Sequence, residues 1–144
     1  GKYLEIFNKE LFKKTKKKVK FIQDDVSISK KNVLRGIHGD YKTWKLITCL
    51  EGEFILLVIN NKKNDKEFKK SEFFNLSDKN DIQILVPPGF GNAHYVVSKK
   101  AIFHYKQSTL YERKNQFTIK WNSKDHSLKW PIKKKPITSK RDHS

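Results

Sequence analysis

The sequence has no methionine and only one cysteine, Cys49. A single thiol excludes a disulfide framework and any zinc site built on several cysteines. The N-terminus carries no signal-peptide-like apolar region, so the expected setting is reducing and cytoplasmic. Long apolar runs are also missing. The longest, Phe54–Ile59, has the length of a strand, far below the roughly 18 residues of a membrane helix. Glycine and proline are sparse, at 6 and 4 residues, and no Gly/Ser linker or internal repeat interrupts the chain. One domain spanning residues 1–144 is expected. Acidic residues are few: 15 Asp and Glu stand against 32 Lys and Arg, giving +17 at pH 7.

What is present is aromatic and basic. Ten Phe, 5 Tyr and 3 Trp, within 36% hydrophobic residues, suffice for one core and exclude a disordered chain. Arg35, Arg113 and Arg141 are the only arginines. The lysine surface attracts polyanions, but its dense runs, Lys13–Lys20 and Lys133–Lys135, are not interleaved with base-stacking aromatics. Neither a nucleic acid nor a membrane is therefore the expected partner, whereas a small anion such as a diphosphate fits. Cys49 reads as a small core hydrophobe, and Trp44, Trp121 and Trp130 as packing residues.

Short runs with strand-like alternation dominate the chain. They cover Tyr3–Phe7, Val19 through Ile28, Lys66–Leu76, Ile82–Val86 and Phe117–Trp121. Trp44–Leu50 and Phe54–Asn60 flank Glu51-Gly52 and predict a hairpin, and two further runs, Tyr95–Ser98 and Ala101–Lys106, flank Lys99-Lys100. Lys9–Lys16 predicts the one short helix. Many short strands at close spacing predict an all-β antiparallel sandwich or jelly-roll barrel.

The chemistry gathers around Arg35-Gly36-Ile37-His38-Gly39-Asp40. Lys45 and Gly52 follow, and Pro87-Pro88-Gly89-Phe90-Gly91-Asn92 comes later. This spacing resembles the two motifs of the cupins. The four places that hold a metal in metal-binding cupins carry His38, Asp40, Lys45 and Asn92. An ammonium and an amide are poor ligands for a divalent cation, so no metal and no cofactor is expected. One imidazole and one ammonium suit a different task. The imidazole takes a proton near neutral pH, and the ammonium stabilises an oxyanion on a neighbouring carbonyl. That pairing fits proton abstraction alpha to a ketone. A Tyr hydroxyl, from Tyr105 with Tyr111 nearby, would return a proton to the opposite face.

From Phe21 to His38, and again at Lys45-Leu46, Val86–Phe90, Tyr105-Lys106, Tyr111, Trp130-Pro131 and Ser139–Asp142, the sequence resembles the dTDP-4-dehydrorhamnose 3,5-epimerase family. The resemblance implies a homodimeric, metal-free, jelly-roll cupin enzyme, an isomerase. Its substrate would be a nucleotide-diphosphate-linked 4-keto-deoxysugar for surface polysaccharides, inverted at carbon 3 and/or 5. It implies His38 as base, Asp142 as the carboxylate orienting it, Lys45 as the enolate-stabilising cation and Tyr105 as opposite-face acid. Arg35, Gln23, Glu5 and Tyr3 are the implied substrate-side residues, and Asn92, Tyr111 and His94 are further candidates on the substrate side. His104 reads as structural, and His126 and His143 as surface residues.

Three departures from the family pattern stand out. Asn92 replaces a usual His, Gly39-Asp40 replaces an aromatic-Gln pair, and the family's leading segment precedes where this sequence begins. The combination is closer to a branch acting on nucleotide-linked 4-keto heptoses or other deoxysugars. Two alternatives remain beside epimerisation: a cupin 3,4-ketoisomerase, whose second His is here Asp40, and a silent sugar-nucleotide-binding cupin.

Overall fold

Alternation along the strands sorts the side chains into an inner and an outer set. The computed structural model describes residues 1–143, His143 by its backbone alone, so the expected surface placement of that side chain lies outside what is described. Among the described residues the strands are β1 (Gln23–Lys30), β2 (Leu34–Gly39), β3 (Lys45–Glu51), β4 (Glu53–Asn60), β5 (Ser71–Ser77), β6 (Gln83–Val86), β7 (Phe90–Val96), β8 (Lys100–Gln107) and β9 (Phe117–Thr118). Two one-turn α-helices, α1 (Lys9–Phe12) and α2 (Lys140–His143), and two 3-10 turns, Lys13–Thr15 and Arg113–Asn115, complete the set. No helix among them is long and apolar enough to cross a membrane.

The strands form two antiparallel sheets, ordered β1-β8-β3-β6 and β5-β4-β7-β2-β9. They face each other as a jelly roll, as expected. Ile47, Cys49, Val86, Ala101 and Phe103 from the four-stranded sheet meet Phe54, Leu56, Leu76 and Val96 from the five-stranded one. Burial raises the Cys49 thiol to about 12, the behaviour of an inert core residue.

The expected hairpin at Glu51-Gly52 does not form. β3 pairs with β6 and β8, whereas β4 pairs with β5 and β7, so the chain crosses between sheets at Gly52, whose φ is +83°. β7 and β8 likewise lie in different sheets. Period-two patterning fixes which face of a strand is buried. It does not say which neighbour supplies the hydrogen bonds. Residues 3–7 form no strand, residues 19–22 precede β1, and residues 66–70 are turns leading into the single strand β5.

The N-terminal segment instead lies across the outer face of the four-stranded sheet. Phe7, Phe12 and Phe21 cluster with ring centroids 5.4–5.9 Å apart, and Gln83 Nε2 donates to the Ile6 carbonyl at 2.6 Å. Asn8 caps α1, accepting from the amides of Glu10 and Leu11. Val26, Ile28 and Leu50 on the same sheet stay exposed.

The outer face of the five-stranded sheet is covered. Ile119, Leu128, Trp130, Trp121 and Ile132 pack over Ile37, Leu57, Ala93, Leu34 and Tyr95. Trp130 Nε1 donates to the Trp121 carbonyl at 2.8 Å. Two of the expected packing tryptophans are thus in place, while Trp44, equally half-buried, joins no core cluster among the described residues and has its ring centroid 5.9 Å from the Lys17 ammonium. This covering segment bridges back at Val33–Ile137 and ends in α2, against β2.

Candidate active site

At one end of the sandwich the apolar interior gives way to a cavity of about 280 Å³. The change follows from the inner positions of the strands. β3 presents Lys45 before Ile47 and Cys49, β8 presents Tyr105 beyond Phe103 and Ala101, and β7 presents Asn92 and His94 before Val96. Lys45, Tyr105 and Ser27 come from the four-stranded sheet; His38, Asn92, His94 and Arg35 come from the five-stranded one. Ser139, Arg141 and Asp142 close the wall from the C-terminal segment.

His38 sits on β2 beyond a register shift after Arg35. Gly36 has φ +112°, and a Cβ there would lie 2.5 Å from the Asn92 carbonyl oxygen, so only glycine fits between the strands. His38 Nε2 contacts Asp142 Oδ1 at 2.8 Å. Asp142 is 3% exposed, accepts from Ser139 Oγ at 2.8 Å, and also takes the Gly36 amide at 3.4 Å. Burial pushes the Asp142 carboxyl up, but the bonds from His38 and Ser139, the imidazole's charge and the Gly36 amide outweigh it, leaving the group below its usual value. An ionised carboxylate on Nε2–H fixes the tautomer and leaves the basic lone pair at Nδ1. Thr118 Oγ1 lies 3.3 Å from that nitrogen.

The opposite wall is less satisfied. Lys45 is 8% exposed, and neither its ammonium nor the Tyr105 hydroxyl has a hydrogen-bond partner among the described residues. Burial lowers the Lys45 ammonium, Asp40 partly restores it, and Arg141 lowers it further, for a net fall from 10.5. Burial, Asp25 and Tyr111 push the Tyr105 hydroxyl up to about 12, against Arg141. Tyr105 is therefore a phenol that keeps its proton, and Lys45 a cation poised to meet negative charge.

Asp40 is not at a ligand position facing the cavity. It closes the β2–β3 loop, accepting from the amides of Lys42 and Thr43 (2.9 and 2.7 Å), from Thr43 Oγ1 (2.6 Å) and from Gln116 Nε2 (2.9 Å). Among the described residues no group of three His, Cys, Asp or Glu side chains converges as a metal site.

Of the remaining expected residues, Arg35, Asn92, His94 and Tyr111 line the cavity. Arg35 Nε donates to Ser29 Oγ at 2.9 Å. His94 is buried against Phe103, rings stacked at 4.1 Å, and burial with the nearby Arg35 charge, against Asp142, takes it down to about 3. It is a neutral imidazole at physiological pH. Gln23 stands one layer back: its Oε1 accepts from the Tyr111 amide at 3.0 Å and its Nε2 donates to Asp25 at 2.7 Å. Tyr3 is 95% exposed, and Glu5 lies in a groove beneath the N-terminal segment, so neither joins this chain's cavity. His104 is buried on the outer face, 3.1 Å from Asp24.

Ser27, Gln116, Ser139 and Arg141 line the cavity without having been singled out from the sequence. Ser27 is two alternations from Gln23 on the inner face of β1, and Ser139 and Arg141 flank Asp142. Arg141 Nη1 donates to the Tyr111 hydroxyl at 3.1 Å.

A jelly roll holding an imidazole–carboxylate pair opposite a lysine and a tyrosine is a cupin-type scaffold equipped to move protons beside a carbonyl. The model of the family described as dTDP-4-dehydrorhamnose 3,5-epimerase matches residues 1–144. The dTDP-4-dehydrorhamnose 3,5-epimerase of Shigella flexneri is 34% identical over 146 residues, covering 99% of this chain and 80% of the relative. The crystal structure of the enzyme of that name from Elizabethkingia anophelis superposes with a TM-score of 0.90 at 32% identity, over 99% of this chain and 81% of that one. The dTDP-6-deoxy-D-glucose-3,5-epimerase of Legionella pneumophila, solved with dTDP-4-keto-L-rhamnose, gives a TM-score of 0.92 at 28% identity, over 97% and 76%. The chain belongs to the dTDP-4-dehydrorhamnose 3,5-epimerase family, a family of isomerases.

Proposed function

We propose that this chain epimerises a nucleotide-diphosphate-linked 4-keto-deoxysugar at carbon 3, carbon 5 or both, for surface polysaccharide synthesis. One observation carries the reading: His38 and Tyr105 stand on opposite sheets across one cavity. Inversion needs a base on one face of a carbon and a proton donor on the other. His38 removes the proton alpha to the ketone, steadied by Asp142. Lys45 stabilises the enolate oxygen, where negative charge develops. Tyr105, still protonated at neutral pH, delivers a proton from across the ring. No step needs a metal, and activity should survive a chelator. Loss on chelation, restored by a divalent ion, would refute that.

Arg35 and Arg141 supply two cations at the cavity for the diphosphate, and the chain's +17 charge draws such an anion in. A single buried thiol, Cys49, suits a reducing, cytoplasmic setting. Exposed Val26, Ile28 and Leu50 on the four-stranded sheet fit an isologous contact with a second copy. Glu5, on that same outer face, and the exposed Tyr3 would then serve across the dimer. Val26→Asp with Ile28→Asp should give monomers in sedimentation; an unaltered dimer would exclude this face.

The functional test is incubation with dTDP-4-keto-6-deoxy-D-glucose in deuterated water. Deuterium at carbon 3 or 5, with inverted product, is expected. Migration of the keto group would mean a ketoisomerase, and neither change would mean a binding protein.

A further inference from the structure

Tyr105 sits in a conflict of charge. The cavity it shares is lined by Lys45 from β3, Arg35 from β2 and Arg141 from α2. Nearby cations favour a phenolate over a phenol. Yet a proton donor must begin each turnover with its proton, and after delivering it must be reloaded. The two imidazoles of the cavity do not offset the cations. His94 on β7 is neutral, and His38 on β2 is engaged by Asp142. Tyr111 has the Arg141 guanidinium on its hydroxyl.

One side chain is placed to act against them. Asp25 on β1 lies directly opposite Tyr105 in the β1–β8 ladder. Directly opposed residues bring their Cβ atoms within about 4.5–5.5 Å on one face. The neighbour of Tyr105 on its other side is Ile47 of β3, which carries no charge. Two amides pin the Asp25 carboxylate: Gln23 Nε2 and Gln107 Nε2 both donate to Oδ2 at 2.7 Å. Gln107 is fully buried. Among the described residues no cation pairs with this carboxylate, so its charge is not neutralised locally. Asp25 also stands outside the cavity lining, where it does not meet an anionic diphosphate directly.

We infer that Asp25 is a positioning residue for the acid: its carboxylate, pinned beside Tyr105 and left without a counter-cation, disfavours the phenolate and so reloads that hydroxyl with a proton after each inversion. This rests on the epimerase reading above, with Tyr105 as donor. It explains how a cavity lined by three cations, which the diphosphate and the enolate need, still holds a protonated phenol. Burial first and Asp25 next take the hydroxyl up to about 12, with Tyr111 adding to them and Arg141 opposing. A weaker acid releases its proton less readily, but an enolate carbon is a stronger base still.

Titration of Tyr105 tests this without substrate. Its hydroxyl is followed by NMR of ring-labelled tyrosine, the signal assigned by its loss in Tyr105→Phe. Asp25→Asn keeps the shape and an oxygen for both glutamines but removes the charge. The Tyr105 midpoint should then fall by about one pH unit. Asp25→Glu keeps the charge and should stay close to the wild-type midpoint. A midpoint unmoved in Asp25→Asn, or lowered equally in Asp25→Glu, would overturn the inference. Turnover of dTDP-4-keto-6-deoxy-D-glucose in deuterated water gives a second readout. The ratio of inverted product to deuterium exchange cancels His38 and Lys45, which both processes need. That ratio should begin to fall about one pH unit earlier in Asp25→Asn than in the wild type; coincident curves would also overturn the inference. If the wild type neither exchanges nor inverts, the epimerase reading fails and takes the reloading step with it, whereas the titration still shows whether Asp25 governs Tyr105.

Discussion

The two ends of the sandwich interior are built from the same strands yet obey opposite rules. At one end Phe54, Leu56, Val96, Ala101 and Phe103 fill the space with carbon. At the other, on the same β3, β7 and β8, come Lys45, Asn92 and Tyr105, with polar atoms that the protein leaves unanswered. Within the reactive end a second contrast appears. The His38 wall is tied together by the Asp142 carboxylate and Ser139, whereas the Lys45–Tyr105 wall waits for a partner. The dry end holds the fold; the wet end holds unspent interactions that a substrate can claim. Natural proteins place their destabilising residues at such sites.

If the contrast is right, substitutions should separate activity from stability according to which end they touch. His38→Asn has the largest expected effect on activity: exchange and inversion should both fall by about 10⁴ or more with the melting transition unchanged. Comparable exchange in this variant would show that another group is the base. Phe54→Ala, at the dry end, should do the reverse, costing about 3–5 kcal/mol in denaturant unfolding while the surviving folded fraction keeps its specific activity. Tyr105→Phe should divide the reactive end itself. Deuterium exchange through His38 should continue, while inverted product drops about 10²–10⁴-fold; near-normal inversion would hand the donor role to Tyr111.

Lys45→Met joins both sides of the comparison. It should cost about 10²–10³ in kcat yet stabilise the protein by about 1 kcal/mol or more, since a buried ammonium without a hydrogen bond is replaced by an apolar chain. The wild-type pH profile sharpens the point. Lys45 releases its proton below 10.5, and Tyr105 only near 12, so the alkaline loss of activity belongs to Lys45. Between its folded and unfolded values Lys45 binds fewer protons in the native state, so its contribution to stability improves as pH rises there. Lys45→Arg should move the alkaline limb upward; an unmoved limb would exclude this assignment. The smallest effect expected is from Ser139→Ala. It removes one bond to Asp142 and should lower kcat about three- to tenfold.

Much of this was legible beforehand, and the gaps have physical causes. The all-β jelly roll follows from alternation and short strands, and His38, Lys45, Tyr105, Asp142, Arg35, Asn92, His94 and Tyr111 do meet in one cavity. The Glu51-Gly52 turn misled because glycine at positive φ marks a reversal of direction, not a pairing partner. Residues 3–7 alternate like a strand but pair with no other strand, and residues 5–7 lie over Leu46 and Leu85 instead. Ser27 escaped notice because nothing about an isolated serine shows that the opposite sheet will leave it unpaired, and Gln116 because nothing about an isolated glutamine shows that it will bond Asp40 at the cavity wall. Gln23 reads as a substrate contact from the sequence alone, and the structure places it behind Tyr111.

The crossings between sheets at Gly52 and after β7 also bear on how the protein is made. They force β1 to find its partner in β8, with Gln23 opposite Gln107, so that every strand from β2 to β7 must be present before the first strand is paired. Non-local pairing of this kind folds on the millisecond-to-second scale. At about 5–20 residues per second of synthesis, β1 with its exposed Val26 and Ile28 waits for seconds with an open edge. Lysine-rich flanks on either side of that strand, Lys16–Lys18 and Lys30-Lys31, place like charge where two such nascent chains would otherwise meet.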